Sequence, residues 1–148
     1  IDEKDYIHLQ KWLQNNNAIL IQAKLIENQK VIGCLAVLNY KKSAYDYMVV
    51  VDDEHKELRV SHAMKMTSLF KLKELGTEFY ELGVYTNCPK IYRLPSAKQK
   101  GITRFKSGFA DKLMSLPIAE KFYDINYFRK VYVKRIEEFS EWIEQTQF

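Results

Sequence analysis

A cluster of cationic side chains between Val84 and Lys112 is the part of the sequence best suited to chemistry with an anion. Seven lysines or arginines lie in this segment against a single acid, Asp111. The seven are Lys90, Arg93, Lys98, Lys100, Arg104, Lys106 and Lys112. The whole chain carries 23 Lys and Arg against 19 Asp and Glu, so most of its positive excess lies here. Such clustering favours a phosphate-bearing ligand over the alternative, a solvated lysine-rich loop.

A strand, a loop and a helix are predicted to position these cations. Residues 79–82 form a short apolar strand that Gly83 ends, and a polar loop with Pro89 and Pro95 follows. A helix is predicted for residues 102–113. A strand that ends on glycine, continues as a basic loop and re-enters as a helix is a common anion site, because cationic side chains and helix N–H groups converge there.

The cysteines and histidines indicate neither a disulfide framework nor a metal site. Cys34 lies in a strand-like run, and Cys88 lies in the basic loop without a histidine near it in sequence, which argues against a catalytic thiolate. His8, His55 and His62 have no metal-ligand spacing with one another or with the cysteines, so we predict no metal site. Two distant thiols are typical of a reducing cytoplasm.

Length and composition predict one globular domain over residues 1–148. The chain is 47% hydrophobic and long enough to bury a core. No apolar run approaches the ~20 residues of a membrane span, and no signal peptide is visible, so we expect a cytoplasmic protein without a transmembrane segment. The first residue is Ile1, so we expect the chain to be processed or to be one piece of a longer protein.

Hydrophobic periodicity predicts three strands near the N-terminus, arranged as an antiparallel meander. They span residues 18–26, 31–40 and 43–51, after a helix over residues 2–15. The middle strand is apolar on both faces and is predicted to be central, and its Gly33 indicates a bulge or a close backbone approach. In the first strand, alternation predicts one face made of Ile19, Ile21, Ala23 and Leu25.

The second half of the chain is predicted to alternate helices and strands. A helix over residues 60–75 has Ser61 as its expected cap and Gly76 as its stop. Its predicted buried side consists of Ala63, Met64, Thr67, Phe70 and Leu75. The strand at 79–82 is expected to pair in parallel with a neighbour, because a crossover helix precedes it. After the helix at 102–113, with Phe105, Phe109 and Leu113 on one face, come a strand at 115–126 and a helix at 127–145.

Two motifs in the basic half resemble a known family. The sequence FYELGVYTN at residues 79–87, followed by GITRFKSGFADKL at residues 101–113, is similar to the second GNAT-like domain of Fem-type (FemAB-like) peptidoglycan aminoacyl transferases and related acetyltransferases. In that family a strand ending in an acid, Leu and Gly precedes a helix carrying Phe-Lys and a further Phe. The resemblance implies an α/β (α+β) fold of GNAT type, with a central mixed sheet, an antiparallel N-terminal meander and helices on both faces.

The chain departs from coenzyme A-dependent GNAT enzymes at the start of the central helix. Those enzymes hold the pyrophosphate on a glycine-rich turn, whereas residues 57–63 contain no glycine, and side chains there would crowd a phosphate. Fem-like proteins also tend to lack this turn. They use two facing domains, so the resemblance implies a missing N-terminal GNAT-like domain that supplies much of the acceptor site.

The activity that the resemblance implies is N-acyl transfer to an amine. The donor would be an acyl-CoA or an aminoacyl-tRNA, and the acceptor an amino group on a cell-wall precursor or a sugar. Such transfer needs a deprotonated amine, a stabilised oxyanion and a protonated leaving group, and no covalent nucleophile.

Two alternatives to an enzyme remain open. A non-catalytic GNAT-like domain would bind a phosphorylated or nucleic-acid ligand through the basic residues 84–112, and both the glycine-free helix start and the missing partner domain favour it. The other alternative is a plain RNA-binding module, but the sequence has no recognisable RNA-binding motif and only a modest net charge, and both count against it.

Lys106 is the first candidate for donor binding, because the matching lysine of the family lies by the donor's phosphate or the reacting carbonyl. Arg104 would clamp phosphate bidentately, and Lys100 would add charge beside it. A solvated lysine and a surface ion pair are the respective alternatives for Lys106 and Arg104.

Arg59, Ser61 and His62 at the start of the central helix would replace the missing glycine turn with direct contacts to the donor. Tyr85 would act as a general acid or orient the carbonyl, and Glu81 would accept the proton of the amine. The alternatives are a packing tyrosine, a solvent-facing strand glutamate and a surface histidine.

Overall fold

The computed structural model describes residues 3–86, 94–115 and 117–145. Contacts between residues divide the chain into two compact units, Ile1–Gly83 and Val84–Phe148, here called the first and second units. The first unit contains α1 (Glu3–Gln14), β1 (Ala18–Lys24), β2 (Val31–Tyr40), β3 (Ser43–Val51), a short 3-10 helix (Asp53–Leu58), α2 (Val60–Glu74) and β4 (Phe79–Glu81). The second unit contains α3 (Ala97–Ser107) and α4 (Ile125–Gln145). The single domain over residues 1–148 stays a prediction.

The first unit is built on a four-stranded mixed sheet in the order β1-β2-β3-β4. The first three strands form an antiparallel meander, and β4 pairs in parallel with β3 through Ser43 and Phe79. This confirms the predicted mixed sheet, its N-terminal meander and the parallel neighbour of the 79–82 strand. β2 lies between β1 and β3, as predicted for a central strand, and its residues Ile32, Leu35, Ala36 and Val37 are buried.

The hydrophobic core lies between the sheet and α2. Its most deeply buried large side chains are Leu35 and Val37 from β2 and Met64 from α2. Ile19, Ile21, Ala23 and Leu25 pack against this core, as the alternation in the first strand predicted.

Gly33 allows α2 to approach the sheet. A β-carbon at this position would lie 2.7 Å from Val60 Cγ1, which is closer than β-carbons tolerate, and a tight 3.1 Å from Met64 Cε. The β1–β2 register also shifts between Ala23 and Lys24, beside the pairing of Ala23 with Gly33. Of the two predicted alternatives, the close approach is confirmed at Gly33, and the register shift lies next to it.

The two ends of α2 differ from each other in how they are capped. Ser61 was predicted to be the N-cap of α2, and this prediction is wrong. Arg59 takes the N-cap position, with a φ of 50°, and forms no side-chain cap hydrogen bond. At the other end Gly76 has a φ of 73°, and the Thr77 N–H donates to the Leu72 carbonyl at 3.0 Å. This is a Schellman motif, and it confirms Gly76 as the stop.

The buried side of α2 was predicted incorrectly except at Met64. Ala63, Thr67, Phe70 and Leu75 are exposed. Buried residues recur every four positions along the side of α2 that faces the sheet, and two of them are polar. This side consists of Val60, Met64, Lys65, Ser68 and Leu72. The prediction failed because hydrophobic periodicity assigns lysine and serine to the solvent-facing side of a helix. In this helix both side chains are buried and form hydrogen bonds with buried polar groups.

Two elements predicted for the second unit are wrong. α3 spans residues 97–107 rather than 102–113, because Ser96 starts it with a capping box: its Oγ accepts from Gln99 N at 3.2 Å and its N–H donates to Gln99 Oε1 at 2.9 Å. Leu113 consequently lies outside the helix and is exposed. The strand at 115–126 is wrong: the described part, 115 and 117–124, has no strand, and α4 already begins at Ile125.

Side-chain contacts hold residues 117–124 to α4. Arg135 binds Glu120 with both terminal nitrogens, and the Phe122 ring contacts Phe128. The Asp124 carboxylate accepts from Asn126 N at 2.7 Å and caps α4. Across the ranges that the structure describes, no helix is long and apolar enough to span a membrane.

Candidate anion-binding site

A cleft of about 340 Å3 lies on α3 in the second unit. Three of its lining side chains, Lys100, Arg104 and Ser107, follow the i, i+4, i+7 spacing that places residues on one helix face. Gly101, Thr103 and Tyr85 complete the lining, and we call this set the α3 cleft.

A buried hydrogen bond holds Tyr85 beside α3. Thr103 is the buried residue of α3, and its hydroxyl accepts from the Thr86 N–H at 3.1 Å. This contact attaches the backbone next to Tyr85 to the middle of the helix. A phenol ring and its hydroxyl therefore face the same cleft as the two cations.

The α3 cleft is positively charged. Among the described residues its lining contains the cations Lys100 and Arg104 and no carboxylate. The Lys100 ammonium lies 5.7 Å from the centre of the Trp142 ring on α4, a cation–π contact that steadies the long lysine side chain. Two cations with a serine hydroxyl on one face form a surface suited to phosphate or carboxylate groups.

The structure brings together three of the predicted site residues, namely Tyr85, Lys100 and Arg104. Lys106 is half-buried and is not part of the lining. Two residues along a helix rotate a side chain by about 200°, so Lys106 leaves α3 on nearly the opposite side from Arg104. Its role in donor binding stays a prediction. Cys88, Lys90 and Arg93 lie outside the described residues.

The other predicted site residues belong to the first unit. Arg59, Ser61 and His62 lie at the start of α2, where the Arg59 carbonyl accepts from His62 N at 2.9 Å, and the Arg59 and His62 side chains are exposed. Glu81 ends β4 opposite Tyr45 and is exposed, which is the position of a solvent-facing strand glutamate.

A buried polar network in the first unit was missed by the sequence analysis. The Lys65 ammonium lies 2.7 Å from Asp46 Oδ1 and donates to the Tyr80 hydroxyl at 2.9 Å, with the two charged side chains 3% and 7% exposed. Ser68 lies 3.4 Å from the same hydroxyl. Burial is the main cause that raises the pKa of Tyr80 above its ordinary value, and the nearby Asp46 charge adds to it.

This network joins β3, α2 and β4 through one residue from each, with Ser68 added from α2. The network holds the short strand β4 in place through Tyr80. Because its charged groups are almost closed to solvent, it offers no access to a substrate. The sequence signal that would have revealed the network is one polar residue in each of three apolar segments. These residues are Asp46, Lys65 and Tyr80.

One group of side chains in the first unit has metal-ligand chemistry. Ligand atoms of Asp52, Glu54 and His55 lie within 4.8 Å of one another. The Lys30 ammonium already lies 3.2 Å from Asp52 Oδ2 and 3.9 Å from Glu54. The Glu54 N–H and Lys30 together lower the pKa of Asp52. Since a lysine neutralises these acids, we assign no ion to the group.

Comparisons of the chain with protein-family models, with curated proteins and with solved structures found no match. The resemblance to Fem-type transferases therefore rests on the two sequence motifs.

Proposed function

We propose that this chain is a GNAT-like N-acyltransferase domain of the Fem type, with helices on both faces of its sheet, and that the α3 cleft binds the phosphates of its donor. The observation that carries this proposal is the placement of Lys100 and Arg104 with Tyr85 around one cleft. The donor is an aminoacyl-tRNA or an acyl-CoA. The acceptor is an amine on a cell-wall precursor or a sugar in the cytoplasm, bound with the help of a second GNAT-like domain.

Each chemical requirement of the transfer has a candidate group in this proposal. Tyr85 donates its phenolic hydrogen bond to the carbonyl or the leaving group, and Glu81 accepts the proton of the attacking amine. Arg104 and Lys100 neutralise the donor's phosphates, with Lys106 as a further cation. Arg59, Ser61 and His62 take the place of the glycine-rich turn.

Donor binding is tested by titrating the protein with coenzyme A and, separately, with tRNA at several salt concentrations. Arg104→Ala is expected to weaken binding of the true donor about tenfold or more, because it removes a charge-assisted pair with phosphate. With tRNA, the substitution is also expected to reduce the slope of log binding constant against log salt concentration by about one. Lys98→Ala is the matched control, since it removes a cation from the same helix outside the cleft lining. Equal effects of the two substitutions would contradict the anion site.

A second candidate function is a non-catalytic GNAT-like domain that binds a phosphorylated or nucleic-acid ligand. It is favoured by the cleft lining, which in the described residues contains neither a carboxylate nor an imidazole to act as general base. An amine-acylation assay separates the candidates. For an enzyme, Glu81→Gln lowers turnover by about 10²–10⁴-fold and leaves donor affinity unchanged. Arg104-dependent binding without any acyl transfer would instead favour the binding domain.

A further inference from the structure

A second cleft lies in the second unit, away from the α3 cleft. Its volume is about 630 Å3, and residues 120–124 form one wall while α4 forms the other. We call it the aromatic cleft, and its principal lining side chains are Glu120, Lys121, Phe122, Tyr123, Tyr127 and Arg135.

The frame of the aromatic cleft is fixed before any ligand arrives. The Arg135 guanidinium donates to both carboxylate oxygens of Glu120, at 2.6 and 2.8 Å, and this bidentate geometry fixes both side chains. The Phe122 ring meets the rings of Phe128 and Tyr132 with centres 5.2 and 5.9 Å apart. A preformed frame of this kind loses little entropy on binding.

Two tyrosine rings at this cleft are left open to solvent. Tyr123 is 89% exposed and Tyr127 is 61% exposed. The Lys121 ammonium lies 4.9 Å from the centre of the Tyr123 ring, so one face of that ring carries a cation–π contact. An exposed ring next to hydrogen-bonding groups offers both a flat apolar surface and a polar edge.

The charges of the aromatic cleft cancel. The lining contains two acids, Glu120 and Asp124, and two cations, Lys121 and Arg135, so its net charge is zero. A polyanion such as nucleic acid gains its affinity from an excess of cations, which this lining lacks. A purely apolar ligand would remove water from the polar edge of the cleft without offering hydrogen bonds in its place.

A neutral pyranose sugar satisfies both conditions. One face of the ring carries C–H groups that stack on an aromatic side chain, and its equatorial hydroxyls donate to carboxylates and accept from guanidinium and phenol groups. We propose that the aromatic cleft binds a neutral pyranose saccharide, with Tyr123 as the stacking platform and the Glu120–Arg135 pair as the polar contact. This site does not depend on the acyltransferase proposal.

The test is isothermal titration of the full chain with cellotetraose and with N-acetylchitotetraose, two neutral pyranose oligomers. Tyr123→Ala is expected to weaken saccharide binding about tenfold, because it removes the stacking ring. Tyr123→Phe keeps the ring and is expected to retain most of the affinity. Since Tyr123 is exposed outside the helices, its removal is not expected to affect folding, which circular dichroism checks.

Tyr40→Ala is the matched control. Tyr40 is also an exposed tyrosine, with the Lys41 ammonium 5.2 Å from its ring centre, but it lies on β2 in the first unit. Saturable binding that Tyr123→Ala weakens and Tyr40→Ala preserves supports the proposal. Absence of saturable binding to either oligomer at millimolar concentration, or equal affinity in wild type and Tyr123→Ala, overturns it. Tyr123-dependent binding of an oligo(dT) strand without saccharide binding also overturns it, and assigns the cleft to nucleic acid.

Discussion

Lys65 shows how much the environment of a single residue decides. Its ammonium group is held between Asp46 and Tyr80 and faces the sheet, although helical lysines normally face water. Buried charges of this kind are tolerated only when they are paired and hydrogen-bonded, and both conditions are met here. Together with Tyr80, the Lys65–Asp46 pair fixes α2 and β4 to β3 at one point.

Lys65→Met is therefore expected to destabilise the first unit by about 3–5 kcal/mol, because it leaves the Asp46 carboxylate buried without its cation. The double variant Lys65→Met, Asp46→Val removes both charges and is expected to recover most of that loss. Urea unfolding followed by circular dichroism measures both values.

Lys56→Met is the control for this prediction. The Lys56–Asp53 pair has a similar distance, 2.8 Å, but its side chains are 68% and 83% exposed. Its loss is expected to cost less than about 1 kcal/mol. If Lys65→Met cost no more than Lys56→Met, the buried pair would not have the role described above.

Gly33 is the second residue whose identity is dictated by its neighbours. Gly33→Ala is expected to cost about 1–3 kcal/mol, since the added β-carbon would lie 2.7 Å from the stiff Val60 side chain. Gly101→Ala provides the contrast: nothing lies within 4 Å of a β-carbon there, and a helix interior favours alanine by about 0.5–1 kcal/mol. Thermal unfolding is expected to show a lower melting temperature for Gly33→Ala and a higher one for Gly101→Ala. Equal losses of melting temperature in the two variants would contradict the packing argument at Gly33.

At the scale of elements, α3 depends on its first turn more than on packing. It is short, has Gly101 inside it, and Thr103 is its buried residue, so local capping must supply much of its stability. The capping box formed by Ser96 and Gln99 satisfies two N–H groups of the helix start. The same helix carries Lys100 and Arg104, so its stability and the shape of the α3 cleft are linked.

Ser96→Ala is expected to destabilise the protein by about 1 kcal/mol, because the N–H of Gln99 loses its acceptor. Ser140→Ala serves as the control, since it makes the same change at an exposed position inside α4 and is expected to be neutral or slightly stabilising. Urea unfolding compares the two. A loss at Ser140 equal to that at Ser96 would argue against the capping box.

At the scale of the whole molecule, each unit contains a carboxylate that depends on a cation. Hydrogen bonding to Arg135 lowers the pKa of Glu120 below its ordinary 4.5. The Glu54 N–H, followed by Lys30, lowers the pKa of Asp52 below its ordinary 3.8. A carboxylate with a lowered pKa in the folded state stabilises that state above its ordinary pKa, and this stabilisation is lost as pH falls through the lowered value.

The free energy of unfolding is therefore expected to decrease as pH falls below 4.5 and then below 3.8. In the double variant Glu120→Gln, Asp52→Asn this decrease should be shallower, and asparagine retains the ability to cap the 3-10 helix. Urea unfolding at a series of pH values measures the slope. An unchanged slope in the double variant would show that other groups control acid stability.

The strands of the first unit were predictable because alternation and turns are local properties. The meander, the central position of β2 and the inward face with Ile19 and Ile21 follow from the order of apolar residues. Gly33 was likewise recognisable, since a glycine inside a strong strand pattern implies close packing. At the candidate site, Arg104 was predicted to lie in the helix, but Lys100 was left in the loop before it, because the capping box that starts α3 at Ser96 was not recognised.

The mixed sheet, the stop at Gly76 and the concentration of positive charge in the second half of the chain could be predicted, because periodicity, glycine conformation and charge are properties of neighbouring residues. Three features depend on tertiary contacts instead: Lys65 points inward, residues 117–124 attach to α4 without forming a strand, and Tyr85 shares a cleft with Arg104. Each of these depends on a partner distant in sequence, whether Asp46, Arg135 or Thr103, and no local pattern specifies which distant side chain will be there to satisfy a buried polar group.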